Sequence, residues 1–147
     1  MYRQILIATD GSELANKGLE QGLRLAAALN AEVTILTTSD RWTPVDAGQV
    51  WGGSAGMLEE YRTHVRKAAD EVLAAAGARA TELGVRHQTL YVPDRYPAET
   101  ILETATARGV DLIVMASHGR RGLDRLLVGS QTNAVITHST IPVLVVR

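Results

Sequence analysis

Ile5-Leu6-Ile7-Ala8-Thr9-Asp10-Gly11-Ser12 is the stretch that decides the fold. Its first four residues form an apolar run without alternation, the pattern of a strand covered on both faces by other elements. Asp10-Gly11 stops the run, and Ser12 can accept a hydrogen bond from the start of a helix. Beyond it Leu14, Ala15, Leu19, Leu23, Ala26 and Leu29 recur at helical spacing, with Asn30 at the exit. A strand, a tight turn and a helix in that order open a β-α-β chain. Gly18 and Gly22 lower the intrinsic propensity of this helix and suit close packing on a sheet.

The alternation continues outward. Glu32 to Thr37 reads as a second strand, after which 38–57 has no usable period and holds Pro44, Gly48, Gly52, Gly53 and Gly56. A loop of that length is a lid, a binding loop or an insertion. Trp42 and Trp51 fall in it, and two readings are open: they pin the loop to the domain, or they meet a ligand or partner. Leu58, Tyr61, Val65, Ala68, Val72, Ala76 and Leu83 trace one face of a long helix ended by Gly84. Val85 to Val92 is a third strand, Pro93-Asp94-Arg95-Tyr96-Pro97 a turn, and Pro97 the first residue of a helix that stops at Gly109. Asp111 to Ala116 is the fourth strand. Gly119 to Gly129 is a loop or short helical piece, a last helix covers about Ser130 to His138, and Pro142 to Val146 is the fifth strand.

This order predicts an α/β fold, an open five-stranded parallel sheet with helices on both faces. Ligands of such sheets sit outside the carboxyl ends of the strands, where strand order switches direction. That rule nominates Ala8 to Ser12, Thr37 to Asp40, Val92 to Pro97 and Ala116 to Gly119.

Composition narrows the function. At 147 residues the chain has the size of one domain, read as 1–147 with the long loop at about 38–57. Lys and Arg total 15 against 16 Asp and Glu, so the basic footprint of a general nucleic-acid binder is missing. The absence of cysteine excludes disulfides, thiolate catalysis, iron–sulfur clusters and Cys-type zinc sites, and fits a reducing compartment. With aromatics at 4% and no Phe, the core is aliphatic. Met1 to Gln4 shows no basic-then-apolar signal segment. Leu126 to Val146 carries no formal charge, yet Ser130, Gln131, Thr132, Asn133, His138 and Pro142 make it too polar for a membrane span. The reading is a cytoplasmic chain without nucleic-acid or membrane partners.

Two motifs mislead. Gly52-Gly53-Ser54-Ala55-Gly56 matches the nucleophile-elbow pattern, but that chemistry needs an apolar strand leading into the serine, and here a glycine-rich loop does. His64, His87, His118 and His138 stand too far apart for a helical zinc motif. No metal site and no catalytic residue is read from them.

The segment Ala116-Ser117-His118-Gly119-Arg120-Arg121-Gly122-Leu123-Asp124-Arg125-Leu126-Leu127-Val128-Gly129-Ser130 carries the chemistry. It follows a strand and opens into a helix at Ser130. Glycines let backbone amides approach an anion, and a helix N-terminus adds unpaired N–H donors with partial positive charge, which suits phosphate. The segment contains neither a P-loop nor G-x-G-x-x-G.

Ile5 to Ser12, the Ser117-His118-Gly119 to Gly129-Ser130 loop and the closing Ile141-Pro142-Val143-Leu144-Val145-Val146, taken in order over the whole chain, resemble the universal stress protein family. The resemblance implies the adenine nucleotide alpha hydrolase-like, Rossmann-like version of the fold, commonly a homodimer that pairs its last strands, here Val143 to Val146. In the nucleotide-binding branch the loop reads G-x-x-G, nine residues, then G-[ST]. Gly119, Gly129 and Ser130 match, while Ala116 stands where the first glycine would be. Carried over by position, Asp10 accepts from ribose hydroxyls, Ala8 and Thr9 flank the base, and Thr38 offers backbone groups to adenine. Ala116, Ser117 and His118 line the loop, and Gly119, Gly129, Ser130 and Gln131 hold phosphates through amides and a hydroxyl. Arg120, with Arg121 and Arg125, supplies charge. The Pro93 to Pro97 turn is longer than the family's and reshapes one wall.

The implied function is a stress-response regulator or sensor that binds ATP, or ADP or AMP, with or without Mg²⁺, and hands its state to a regulatory protein partner. The loop offers no general base poised on a water and no P-loop lysine, so any hydrolysis is slow. Two rivals stand beside it: a nucleotide-free dimeric interaction module of the same fold, favoured by Ala116, and a small nucleotide-dependent transferase with its chemistry in the 38–57 loop.

Overall fold

The computed structural model describes residues 1–39, 55–93, 95–119 and 128–147. In chain order the elements are β1 (Gln4–Ala8), α1 (Glu13–Leu29), β2 (Glu32–Thr38), α2 (Ala55–Glu82), β3 (His87–Val92), α3 (Pro97–Ala107), β4 (Leu112–Ala116), α4 (Ser130–His138) and β5 (Val143–Val146). The strands form one parallel sheet in the order β3-β2-β1-β4-β5. Strand order reverses between β1 and β4. Their carboxyl ends, Ala8 and Ala116, therefore flank the switch point where a ligand crevice forms.

Alternation along each inner strand divides the core in two, because successive side chains leave a sheet on opposite faces. Ile5, Ile7, Val33, Ile35, Leu112 and Val114 pack with Leu19, Leu23 and Ala26 of α1 and Leu73, Ala76 and Ala80 of α2. Leu6, Leu36, Ile113 and Met115 pack with Ala98, Ile101 and Ala105 of α3 and Val135 of α4. Both faces of β1, β2 and β4 are thus buried, which is why Ile5 to Ala8 and Leu112 to Ala116 read as unbroken apolar runs, while β2 also buries Thr34 and Thr37.

Helix α1 lies unusually close to the sheet. A Cβ built at Gly22 would stand 2.7 Å from Ile7 Cδ1, and one at Gly18 would stand 3.4 Å from the Ala116 backbone nitrogen. The approach explains Gly22, whereas a methyl at Gly18 would be in ordinary van der Waals contact with the sheet. The helix starts as expected, with Ser12 Oγ accepting from Ala15 N at 3.3 Å, and ends at Asn30 with φ 54°.

Several boundaries differ from the sequence reading. Thr38 belongs to β2, and α2 begins at Ala55 rather than Leu58, so the 38–57 loop is shorter at both ends. Trp42, Trp51 and Gly52 to Ser54 lie outside the described residues. Val85 is not yet strand: its N–H closes α2 by donating to Ala80 O at 2.9 Å, and β3 starts at His87. Asp111 precedes β4 because its carboxylate brackets the opposite end of β1, accepting from Arg3 N at 2.9 Å and Gln4 N at 3.1 Å. Pro142 has no N–H to donate, and β5 begins one residue later. Among the described residues no helix is long and apolar enough to cross a membrane.

Candidate functional site

Four segments meet at the carboxyl edge of β1 and β4. At the β1 exit, Thr9 N donates to Leu36 O at 2.9 Å and Thr9 O accepts the buried Thr37 hydroxyl at 2.6 Å, which holds the strand end rigidly against β2. The turn then closes on itself. Gly11, with φ 77°, adopts a conformation costly for other residues; its N–H donates to Thr9 Oγ1 at 3.3 Å, and Ser12 N donates to Asp10 Oδ1 at 2.9 Å.

That last bond aims the rest of the Asp10 carboxylate toward the β4 exit. A Cβ built on Gly119 would lie 2.5 Å from Asp10 Oδ2. Glycine at 119 leaves this carboxylate its position, and the reason is space rather than backbone angle, since its φ lies outside the left-handed region.

At the β4 exit, Ser117 N donates to Val146 O at 2.8 Å and Ser117 O accepts from Gly129 N at 2.7 Å. The second bond returns the chain to the strand end after the intervening loop. A Cβ on Gly129 would stand 3.1 Å from His118 Cα and 3.3 Å from Ser117 O, so this glycine permits two backbones to touch. The buried Thr132 hydroxyl, from the first turn of α4, donates to Ala116 O at 2.9 Å. Ser117 Oγ and His118 Nδ1 lie 3.2 Å apart.

Helix α4 starts from Gly129, a cap without a side chain, and its first intrahelical bond is Asn133 N to Gly129 O at 2.9 Å. The first-turn N–H groups have no acceptor within the helix and carry the positive end of its dipole. Ser130 is exposed at this end. An anion is the natural occupant of such a turn.

Gln131 behaves differently from its neighbours. Its side-chain Oε1 accepts from Ala98 N at 3.1 Å, so the carboxamide caps α3, and only the Gln131 backbone N–H is directed by the start of α4. The N-cap of α3, Tyr96, supplies no side-chain bond of its own.

Ala116 does not strain the backbone where the family glycine would stand. Asn30 is the only non-glycine with positive φ among the described residues, so alanine fits the angle at 116. By strand alternation its methyl leaves the sheet on the Val114 side, toward α1, where Gly18 makes room.

The structure thus brings together Ala8, Thr9, Asp10, Ala116, Ser117, His118, Gly119, Gly129, Ser130 and the backbone of Gln131, with Thr38 one strand away on β2. Arg120, Arg121 and Arg125 lie outside the described residues. Thr37, which fixes one strand end, lies in the nominated Thr37 to Asp40 stretch, whereas Thr132, which fixes the other, was not singled out by sequence reasoning; a threonine in the first turn of a helix is a weak signal. Other histidines are engaged locally, His87 Nδ1 with Val85 O at 3.0 Å and His138 Nδ1 with Ala134 O at 2.9 Å. Among the described residues no three His, Cys, Asp or Glu side chains gather as a metal site.

A groove of about 510 Å³ between α1 and α2 touches this region only at Gly11. Its polar edge is the Glu20–Arg79 pair at 2.8 Å. Hydrogen bonds from Arg79 and Arg24 hold the Glu20 carboxyl down at about 2, and Glu20 with Glu82 raises the Arg79 guanidinium in turn.

The sheet order, with the start of α4 at its switch point, defines an α/β protein with a crevice at the carboxyl edge of β1 and β4. The universal stress protein family model matches residues 1–147, and the chain belongs to that family. It is 35% identical over 150 residues to universal stress protein YxiE of Bacillus subtilis, covering 100% of both chains. The solved structure of MJ0577, a universal stress protein of Methanocaldococcus jannaschii, superposes with TM-score 0.78 at 30% identity, covering 99% of this chain and 96% of that one. Two more distant solved structures share the fold. One is a universal stress protein in complex with cAMP, at 24% identity and TM-score 0.69 over 99% and 97% of the two chains. The other, from Archaeoglobus fulgidus, is in complex with dAMP, at 19% identity and TM-score 0.71 over 99% and 98%.

Proposed function

We propose that this chain binds an adenine nucleotide, ATP or the related ADP or AMP, at the β1/β4 switch point and acts in the cytoplasm as a stress-response regulator rather than as an efficient enzyme. The observation that carries the reading is the close approach of Asp10 to Gly119 across the crevice, at the strand edge to which Gly129, the N-cap of α4, is also bonded through Ser117 O. Asp10 accepts from the ribose hydroxyls, Ala8 and Thr9 flank the base, and Thr38 presents backbone groups to it. Gly119, Gly129, Ser130 and the Gln131 backbone hold the phosphates, beside Ala116, Ser117 and His118, with Arg120 supplying charge. The cAMP and dAMP complexes of proteins sharing the fold support the adenine class. Mg²⁺, where present, enters with the phosphates that coordinate it.

The regulatory form is a homodimer joined through Val143 to Val146. β5 is an outer strand with β4 on one side only, and Leu144 on it is 38% exposed. A short apolar strand with an open edge favours pairing with a second copy. A regulatory protein partner then reads the bound state.

The test is to denature freshly purified protein, identify any released small molecule by mass spectrometry, and titrate ATP into the emptied chain. Recovery of ATP, ADP or AMP, or a melting temperature that climbs with ATP through binding to the folded state, supports the reading. No released ligand and no binding at millimolar ATP would make the chain a nucleotide-free dimeric interaction module.

A further inference from the structure

Among the described residues the first turn of α4 is tied down at three points, one of which reaches another helix. Gly129 N is bound to Ser117 O and the Thr132 hydroxyl to Ala116 O, both on the β4 exit. Gln131 reaches the other way. Its Oε1 takes the N–H of Ala98, the second residue of α3, at 3.1 Å.

That donor needs an outside acceptor. The first N–H groups of a helix have none within it, Pro97 at the start of α3 has no N–H, and Tyr96 provides no side-chain cap. Ala98 is buried at 7% exposure, so its amide cannot turn to bulk water without moving the helix. One side-chain carbonyl from α4 thus completes the start of α3, and the two helices share the core around Ile101 and Val135.

We propose that Gln131 is a positioning residue for the phosphate site: its side chain is a strut from α4 to Ala98 that fixes the α4 amides for phosphate and couples phosphate binding to the β3–α3 turn. The inference rests on the nucleotide reading above. A phosphate pulls on the N–H groups of Ser130, Gln131 and Thr132, and a turn anchored on one side only would tilt toward β4. The strut opposes the tilt, so less order has to be gained on binding. The same link predicts the reverse effect. Phosphate that firms α4 also firms the bond to Ala98, so occupancy is felt at the turn bearing exposed Tyr96.

The experiment compares the wild-type chain with Q131M, which keeps length and packing but loses the carbonyl, and Q131E, which keeps an acceptor. Amide hydrogen exchange at Ala98 is read with and without ATP, and affinities for adenosine and for ATP are measured by calorimetry. In the wild-type chain ATP slows exchange at Ala98. Q131M exchanges faster at Ala98 and no longer responds to ATP there; its ATP affinity falls about three- to tenfold, the scale of one lost net hydrogen bond, while adenosine binds unchanged. Q131E restores protection at Ala98, which a mere packing role would not produce, yet still binds ATP weakly because its charge repels phosphate. Wild-type ATP affinity in Q131M alongside a deprotected Ala98 overturns the proposal and leaves the nucleotide site standing. A wild-type chain that binds neither adenosine nor ATP overturns the nucleotide reading and the coupling with it.

Discussion

The exits of β1 and β4 are built alike up to the last strand residue and then diverge. In each, a buried threonine hydroxyl takes a carbonyl at the strand end, Thr37 on Thr9 and Thr132 on Ala116. At the β1 exit the following turn then satisfies itself. Thr9, Asp10 and Ser12 accept from Gly11, Ser12 and Ala15, so α1 begins already capped by its own sequence. At the β4 exit the helix that follows begins at a glycine, with no side-chain cap. The closed exit supplies a fixed carboxylate, and the other exit supplies a helix start that has no side-chain cap among the described residues. A ligand bearing both hydroxyl donors and an anionic tail matches the pair, which neither exit would recognise alone.

Substituting across this divide separates the two roles, and Asp10→Ala has the largest expected effect. It removes the carboxylate that faces Gly119 and loosens Ser12 N with it. Hydrogen bonds to a charged group contribute about 1.5–3 kcal/mol, so ATP affinity in a calorimetric titration is expected to fall roughly 10- to 150-fold. Gly119→Ala comes next. The added methyl would stand 2.5 Å from Asp10 Oδ2, whose partner oxygen is held by Ser12, and must push the carboxylate aside. Binding is expected to weaken by about tenfold with little change in melting temperature, because the displaced atom belongs to the end of a side chain. Unchanged affinity in both variants would show that the two exits do not act on one ligand.

The converse substitution is Ser12→Ala. Loss of this N-cap destabilises by about 1 kcal/mol, near 2–4 °C in melting temperature for a chain of this size. ATP affinity should change far less than in Asp10→Ala, because Ser12 closes its own helix rather than facing the ligand. A thermal melt and a titration on one sample test both halves.

Most of this arrangement was legible before the structure, for a physical reason. Strands buried on both faces are largely apolar, so Ile5 to Ala8 and Leu112 to Ala116 declared themselves, and turns that require Gly11 or a cap such as Ser12 are local devices written in neighbouring residues. What was not legible depends on contacts between distant segments. Nothing near Gln131 announces that its side chain serves Ala98, and Thr37 and Thr132 look like ordinary threonines until the strand ends are placed beside them. The question posed by Ala116 was likewise one of backbone angle and of the direction of a methyl, both set by the sheet and by Gly18 on another element. The expectations for Trp42, Trp51 and Arg120 to Arg125 concern residues outside the described ones.

The smallest expected effect concerns how the closed exit is braced. Helix α1 is joined to α2 by Glu20, which accepts from Arg79 at 2.8 Å and from Arg24 at 2.6 Å. Those guanidinium bonds lower the Glu20 carboxyl to about 2, against 4.5 as its ordinary value. A carboxyl that is more acidic in the folded chain binds fewer protons there than in the unfolded chain between these two values, so stability rises with pH across that window. The contribution is complete above about 4.5 and is lost as pH falls through about 2. Glu20 and Arg79 side chains are 30% and 37% exposed, and solvent screening limits such a network to under about 1 kcal/mol. Glu20→Gln should therefore lower the melting temperature at pH 7 by no more than about 4 °C and flatten its acid limb between pH 4.5 and 2. ATP affinity at neutral pH should stay unchanged, since the pair meets the crevice only through the groove that ends at Gly11. A Gln variant with the wild-type acid profile would place the acid sensitivity elsewhere, and one with weakened ATP binding would mean that the β1 exit depends on α2 for its shape.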